Sequence, residues 1–145
     1  VIIDNSFKLT GNEKLFELGG EIWIFTTQQD EEALSYFKLH HKNVSIFTSV
    51  TSKGIEIKDV LLKLAKMEIN EVHTECGSTL AGALIQQQLV DELVLYMAPD
   101  LMGKQAQGLF DLGEISIMSD KIQLSIADVR MIGRDIKIVA KPCQP

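Results

Sequence analysis

Two apolar, β-branched runs, Glu21-Ile-Trp-Ile-Phe-Thr-Thr27 and Asn43-Val-Ser-Ile-Phe-Thr48, flank a stretch from Asp30 to His40 whose apolar positions are Leu34, Phe37 and Leu39. A strand, a helix and a second strand in that order imply parallel pairing through a right-handed crossover. The alternation continues. Ile55 to Ile69 carries the clearest helical period, with Ile57, Val60, Leu61, Leu64 and Ala65 on one stripe and Lys58, Lys63 and Lys66 elsewhere. Val72–Cys76 reads as a strand, Ser78–Leu89 as a helix, and Asp91–Ala98 as a strand closed by Pro99. Val1–Asp4 reads as a further short strand, broken by Asn5 and Ser6.

Beyond Pro99 the pattern changes. Residues 100–120 contain Gly103, Gly108 and Gly113 with few periodic apolar positions, which predicts a long loop with short turns. Ile122–Met131 and Asp135–Lys141 then predict a hairpin about Gly133-Arg134. The expected fold is a single α/β domain over 1–145. Its three-layer mixed sheet would be mostly parallel, with an antiparallel hairpin at the C-terminal side.

Composition narrows the function classes. A chain of 145 residues with 46% hydrophobic and 23% charged residues can bury a real core. A net charge of −6 with scattered Lys and Arg argues against a nucleic-acid surface. No apolar run approaches the roughly 18 residues of a membrane span. The opening Val1-Ile-Ile-Asp4 has neither a basic leader nor an initiator Met, as expected of an internal piece of a longer protein. Cys76 and Cys143 are too few for a disulfide framework and fit free thiols in a reducing cytoplasm.

The chemistry concentrates in Glu71-Val-His-Thr-Glu-Cys-Gly-Ser-Thr-Leu-Ala-Gly-Ala-Leu84. Read as strand, tight glycine turn and helix, it puts backbone N–H groups at the positive end of a helix dipole, where an anion binds. Open α/β sheets bind ligands beyond the carboxyl ends of their strands, where Glu75 is expected. Gly77 permits a close backbone approach, Ser78 and Thr79 add hydroxyls to the first turn, and Ala81, Gly82 and Ala83 leave a face without bulk. The same residues also satisfy a purely structural role, with Ser78 as a cap and the small residues as a packing seam. The full Gly-x-Gly-x-x-Gly fingerprint is absent.

Read onward, Glu75–Leu84 is followed by Leu89-Val-Asp-Glu-Leu-Val-Leu-Tyr-Met-Ala-Pro99, then Leu101-Met-Gly103 and Gly108-Leu-Phe110. This series resembles the reductase domain of the bifunctional riboflavin-biosynthesis deaminase/reductase. The likeness extends to Val1-Ile-Ile-Asp-Asn5 and Trp23-Ile-Phe-Thr-Thr27. It implies a dihydrofolate-reductase-like fold and a cytoplasmic, homodimeric enzyme. The implied activity is NADPH-dependent reduction of the ribosyl group of 5-amino-6-(5-phosphoribosylamino)uracil to its ribityl form. By position, Glu75 would contact the substrate. Gly77, Ser78, Thr79, Leu80, Ala81, Gly82 and Ala83 would line the cofactor, with Asn5 as a further cofactor contact. Asn5 stands where the family usually has serine, Cys76 where it has a small residue, and Ser78 where it often has proline.

The family's opening Lys-x-Ala-x-Ser-Leu-Asp-Gly-type strand is missing, as is the zinc deaminase signature His-x-Glu with Pro-Cys-x-x-Cys. The chain therefore resembles an N-terminally incomplete reductase domain, inactive by itself, with a zinc deaminase domain upstream in the parent chain. A nucleotide-binding or dimerisation fragment, or a reductase of another heterocycle, remain as alternatives. No residue is assigned the acid/base role. Lys8 and Lys104 are the candidates for a 2′-phosphate, but a solvated surface charge is the stronger reading of both.

Other residues carry less. His40 and His41 are adjacent on a helix, about 100 degrees apart, without ligand-spaced partners, so no metal site is expected. His73 suits a packed or hydrogen-bonded place in its strand. Asp91 and Glu92 alternate across a strand and cannot form a dyad. Cys76, at a helix N-terminus, would have a lowered pKa.

Overall fold

The computed structural model describes residues 1–49 and 54–143, in two compact units, Val1–Glu71 and Val72–Pro145.

In the first unit three parallel strands, β1 (Ile2–Ile3), β2 (Ile22–Thr26) and β3 (Val44–Thr48), lie in that order, with Ile2 opposite Ile24 and Ile24 opposite Ile46. The central strand is buried on both faces, which is why Ile-Trp-Ile-Phe is apolar throughout and does not alternate. Its side chains go to opposite sides. Ile22 and Ile24 join Val44 and Phe37 of helix α1 (Glu31–His40) in one cluster. Phe25 joins Val60 and Leu64 of helix α2 (Ile57–Lys66) in another, backed by Trp23, Phe47 and Ile55. The two helices therefore cover opposite faces, and this unit is three-layered. Each fully buried Leu or Phe contributes about 1.5–3 kcal/mol.

The helix ends follow from their chemistry. Asp30 caps α1, accepting from the Glu32 and Ala33 N–H groups at 3.0 and 3.1 Å, with Glu31 and Glu32 in the first turn and Lys38 and His40 in the last. Helix α2 stops at Lys66, although the apolar pattern runs to Ile69. Glu68 turns left-handed (φ 64), and the Ile69 N–H returns to the Leu64 carbonyl at 3.1 Å. In this Schellman ending the apolar residue past the helix keeps the period while leaving the axis.

In the second unit helix α3 (Ser78–Gln86) ends the same way, with Gln88 at φ 56 and the Leu89 N–H on the Leu84 carbonyl at 3.0 Å. Strands β4 (Leu93–Met97), β5 (Leu124–Ile132) and β6 (Asp135–Pro142) form an antiparallel sheet in the order β4-β6-β5. Ile132 faces Asp135 across a tight turn at Gly133-Arg134, with Gly133 at φ 62, so the expected hairpin is present. A bulge between Ile126 and Asp128 interrupts the β5–β6 ladder. Residues 100–117 form no helix or strand, and one 3-10 turn follows at Met118–Asp120.

One expected element is absent. Val72–Cys76 belongs to no strand; its residues are exposed and no described residue pairs with its backbone. A strand exists only as a member of a ladder, so β-propensity without a partner leaves the segment irregular.

Candidate functional site

Helix α3 begins at Gly77, an N-cap in extended conformation (φ −74, ψ 170) that offers no side-chain oxygen. The Ala81 N–H closes the first turn on the Gly77 carbonyl at 3.1 Å. Among the described residues nothing accepts from the N–H groups of Ser78, Thr79 or Leu80. The first turn also has no acidic residue. Helix α1 shows the alternative, a start closed by its own aspartate. The space in front of Gly77 is open, since a β-carbon there would meet nothing within 4 Å. An uncapped, accessible helix start with no competing carboxylate suits an anionic ligand.

The flank of this helix is braced by the segment after β4. Gln107 Nε2 donates to Ser78 Oγ at 3.0 Å, the Asp111 N–H to the Ser78 carbonyl at 3.0 Å, and Gln86 Nε2 to the Leu112 carbonyl at 2.6 Å. Between these bonds the Asp111 backbone presses on buried Gly82. The missing side chain at Gly82 thus makes room for the chain's own loop. Thr79 is exposed, and Leu80, Ala81 and Ala83 are partly exposed. No signal short of the fold marks Gln107 or Asp111, which meet α3 about thirty residues from it in sequence.

Glu75 precedes the turn on irregular backbone and not at the tip of a strand. Its side chain is 90% exposed, with His73 Nε2 3.7 Å from its Oε1. His73 is itself solvent-facing and not packed. The carboxylate is therefore hydrated and free to orient a polar group. Cys76 is exposed as a residue, and desolvation of its thiol raises the pKa from its ordinary value, opposite to the lowering expected from the helix dipole.

Asn5 belongs to the first unit and Glu75–Ala83 to the second. Its Oδ1 accepts from the Ile55 N–H at 3.2 Å. Its carbonyl accepts from the Thr27 hydroxyl at 2.7 Å and the Thr27 N–H at 3.3 Å. A cleft of about 270 Å³ opens nearby, at the C-terminal end of β3, lined by Phe25, Phe47, Thr48, Ser49, Ile55 and Lys63 among others. Phe25 stacks on Phe47 at 5.0 Å, and Lys63 Nζ stands 5.1 Å from the Phe47 ring centre. These residues are scattered along the chain, so spacing alone does not reveal the cleft. His41 packs between Phe16 and Phe37, at 4.9 and 4.7 Å, and His40 donates from Nδ1 to the Tyr36 carbonyl at 2.7 Å. Among the described residues no helix is long and apolar enough to cross a membrane.

Comparison with known proteins bears on this geometry. The family model described as RibD C-terminal domain matches residues 1–138. The 5-amino-6-(5-phosphoribosylamino)uracil reductase of Buchnera aphidicola is 33% identical over 143 residues, covering 98% of this chain and 66% of that protein. The riboflavin biosynthesis protein RibD of Escherichia coli is 32% identical over 137 residues, covering 94% of this chain. The chain spans only 36% of that relative's length. Acinetobacter baumannii RibD superposes with a TM-score of 0.82 at 24% identity, over 98% of this chain and 37% of that one. The fold is accordingly α/β and dihydrofolate-reductase-like, with a parallel and an antiparallel part.

Proposed function

The chain belongs to the RibD C-terminal domain family, and from that premise we propose that it takes part in NADPH-dependent reduction of 5-amino-6-(5-phosphoribosylamino)uracil. The ribosyl group would become the ribityl chain, a cytoplasmic step of riboflavin biosynthesis. The observation that carries this reading is the open start of α3, three uncapped amides beside an exposed carboxylate. The name of the Buchnera relative supplies the substrate class.

The residues present fit a dinucleotide. Amides of Ser78, Thr79 and Leu80, the Thr79 hydroxyl, and the partly exposed faces of Ala81 and Ala83 would receive its anionic and flat portions. Gly77 leaves the approach clear, and Gly82 keeps the bracing loop close enough to hold the helix in place. The Ser78 hydroxyl accepts from Gln107, which leaves its own hydrogen to donate toward an anion. When bound, NADPH supplies the hydride. Glu75 would accept hydrogen bonds from the polar substrate and orient it, as a positioning carboxylate and not as a proton donor. In a parent protein of the E. coli kind, a deaminase would precede this domain, and the reductase would work as a homodimer.

Titration of the chain with NADPH tests the reading. Saturable binding is expected, lost in Gly77→Val, whose side chain fills open space in front of the amides without meeting a neighbour. Glu75→Gln should leave nucleotide affinity intact and weaken substrate binding by about tenfold, the worth of one charge-assisted hydrogen bond. A folded chain that binds no nucleotide, or a Gly77→Val protein that binds as well as the original, overturns it.

A further inference from the structure

We propose that Gln107 is a positioning residue for the start of α3: it holds the Ser78 hydroxyl with its hydrogen turned toward an anionic ligand, so that anion affinity at this turn is set partly from outside the helix. The proposal rests on the reading of that turn as an anion site and names the residue that tunes it.

Residues 107–112 meet α3 along one line. Gln107 Nε2 donates to Ser78 Oγ, the Asp111 N–H donates to the Ser78 carbonyl, the Asp111 peptide lies against Gly82, and the Leu112 carbonyl receives Gln86 Nε2. Ser78, Gly82 and Gln86 recur at every fourth residue, one above the other on a single face of the helix. The segment is thus a strap laid along α3 from its first turn to its last. Just before it, the Ala106 N–H bonds the Gly103 carbonyl at 3.0 Å and turns the chain toward Ser78. Gln107 is exposed, yet the backbone on either side of it is tied down. Its carboxamide therefore reaches Ser78 from a fixed base.

Ser78 is the first residue of the helix and is gripped at both its carbonyl and its hydroxyl. A serine hydroxyl has one hydrogen and two lone pairs, and a carboxamide nitrogen can only donate. The Ser78 oxygen accepts from Gln107, which directs its hydrogen elsewhere. In the same turn the Ser78, Thr79 and Leu80 amides have no acceptor among the described residues. With the hydroxyl held in this sense, the turn offers an anion one more hydrogen than its amides alone provide. Released from Gln107, the hydroxyl rotates, and a serine so placed bonds nearby backbone or water instead.

Inorganic phosphate titrated into the whole chain, followed by NMR at the Ser78, Thr79 and Leu80 amides, tests this. Saturable shifts are expected. Gln107→Leu, similar in size and without a donor, should weaken phosphate affinity about three- to tenfold, as expected for loss of one hydrogen bond. Ser78→Ala should weaken it to a similar degree, and Gln107→Leu should add nothing in the Ser78→Ala background, because the two act as one unit. Gln107→Glu keeps the shape but accepts the hydroxyl hydrogen and adds a negative charge, so it should weaken binding more than leucine does. Affinity unchanged in Gln107→Leu overturns the proposal. So does an equal loss from Gln107→Leu with and without the Ser78 hydroxyl, a Gln107→Glu chain that binds phosphate as tightly as the original, or an original chain whose three amides show no saturable shift. Titration with NADPH is read separately. Phosphate binding that responds to Gln107, in a chain that binds no NADPH, leaves the role of Gln107 in place and removes the nucleotide reading.

Discussion

Gly82 lies directly beneath the Asp111 peptide: a β-carbon on the glycine would overlap the Asp111 carbonyl oxygen and come within 2.6 Å of its carbonyl carbon. The obstacle is backbone, and it is pinned on both sides by the bonds from Asp111 to Ser78 and from Gln86 to Leu112. Gly82→Ala therefore has to displace a held segment. Overpacking of this kind costs about 1–3 kcal/mol, against roughly 1 kcal/mol regained from the better helix propensity of alanine. Because the obstacle is held backbone, the cost lies toward the upper end of that range, and a net loss of up to about 2 kcal/mol in denaturant unfolding is expected. An unchanged or raised midpoint would show that residues 107–112 yield freely.

Asp30 closes the start of α1 with two hydrogen bonds to first-turn amides. Asp30→Ala should lower stability by about 1 kcal/mol, and Asp30→Ser by only a few tenths, because serine caps almost as well. Equal losses in the two variants would assign the effect to charge and not to capping.

Glu13 gives a pH signature in the first unit. Its carboxylate accepts from the Thr10 N–H at 3.0 Å, the Gly11 N–H at 2.9 Å and the Thr10 hydroxyl at 3.1 Å. These bonds, the Thr10 N–H foremost, hold its pKa below the ordinary 4.5. A depressed folded value means stabilisation that is present above 4.5 and is lost as pH falls through the folded pKa. A carboxyl titration by NMR should show a Glu13 midpoint below 4.5, and Glu13→Gln should remove the matching acid-side loss in the 10–13 turn. A midpoint at or above that value would show the turn to be open in solution.

The strands and helices of the first unit were readable because each has its own periodicity and its partner lies within a short crossover. The periodic pattern runs three residues past the helix end at both Ile69 and Leu89. The apolar residue of a Schellman ending continues the hydrophobic pattern after the hydrogen bonding has stopped. Val72–Cys76 was misread as a strand because pairing is a property of the neighbour and not of the segment. The anion-suited start of α3 was legible from Gly77-Ser78-Thr79, but the reason for Gly82 was not. Asp111 reaches it through a loop whose course no local pattern encodes. The same holds for Asn5, whose partner Ile55 is fifty residues away. For the Cys76 thiol the helix dipole is visible in the sequence, whereas the desolvation that raises its pKa is set by the surrounding fold.

The interruption at Ala127 bears on how the second unit survives among other chains. Strand β5 is an edge, and Ile126, Val129 and Met131 on it are well exposed. A flat edge of that character would recruit foreign strands. With the extra residue the strand kinks and twists midway, so its outward N–H and C=O groups never line up as one straight template. The irregularity that spoils the ladder inside the protein also guards it against aggregation.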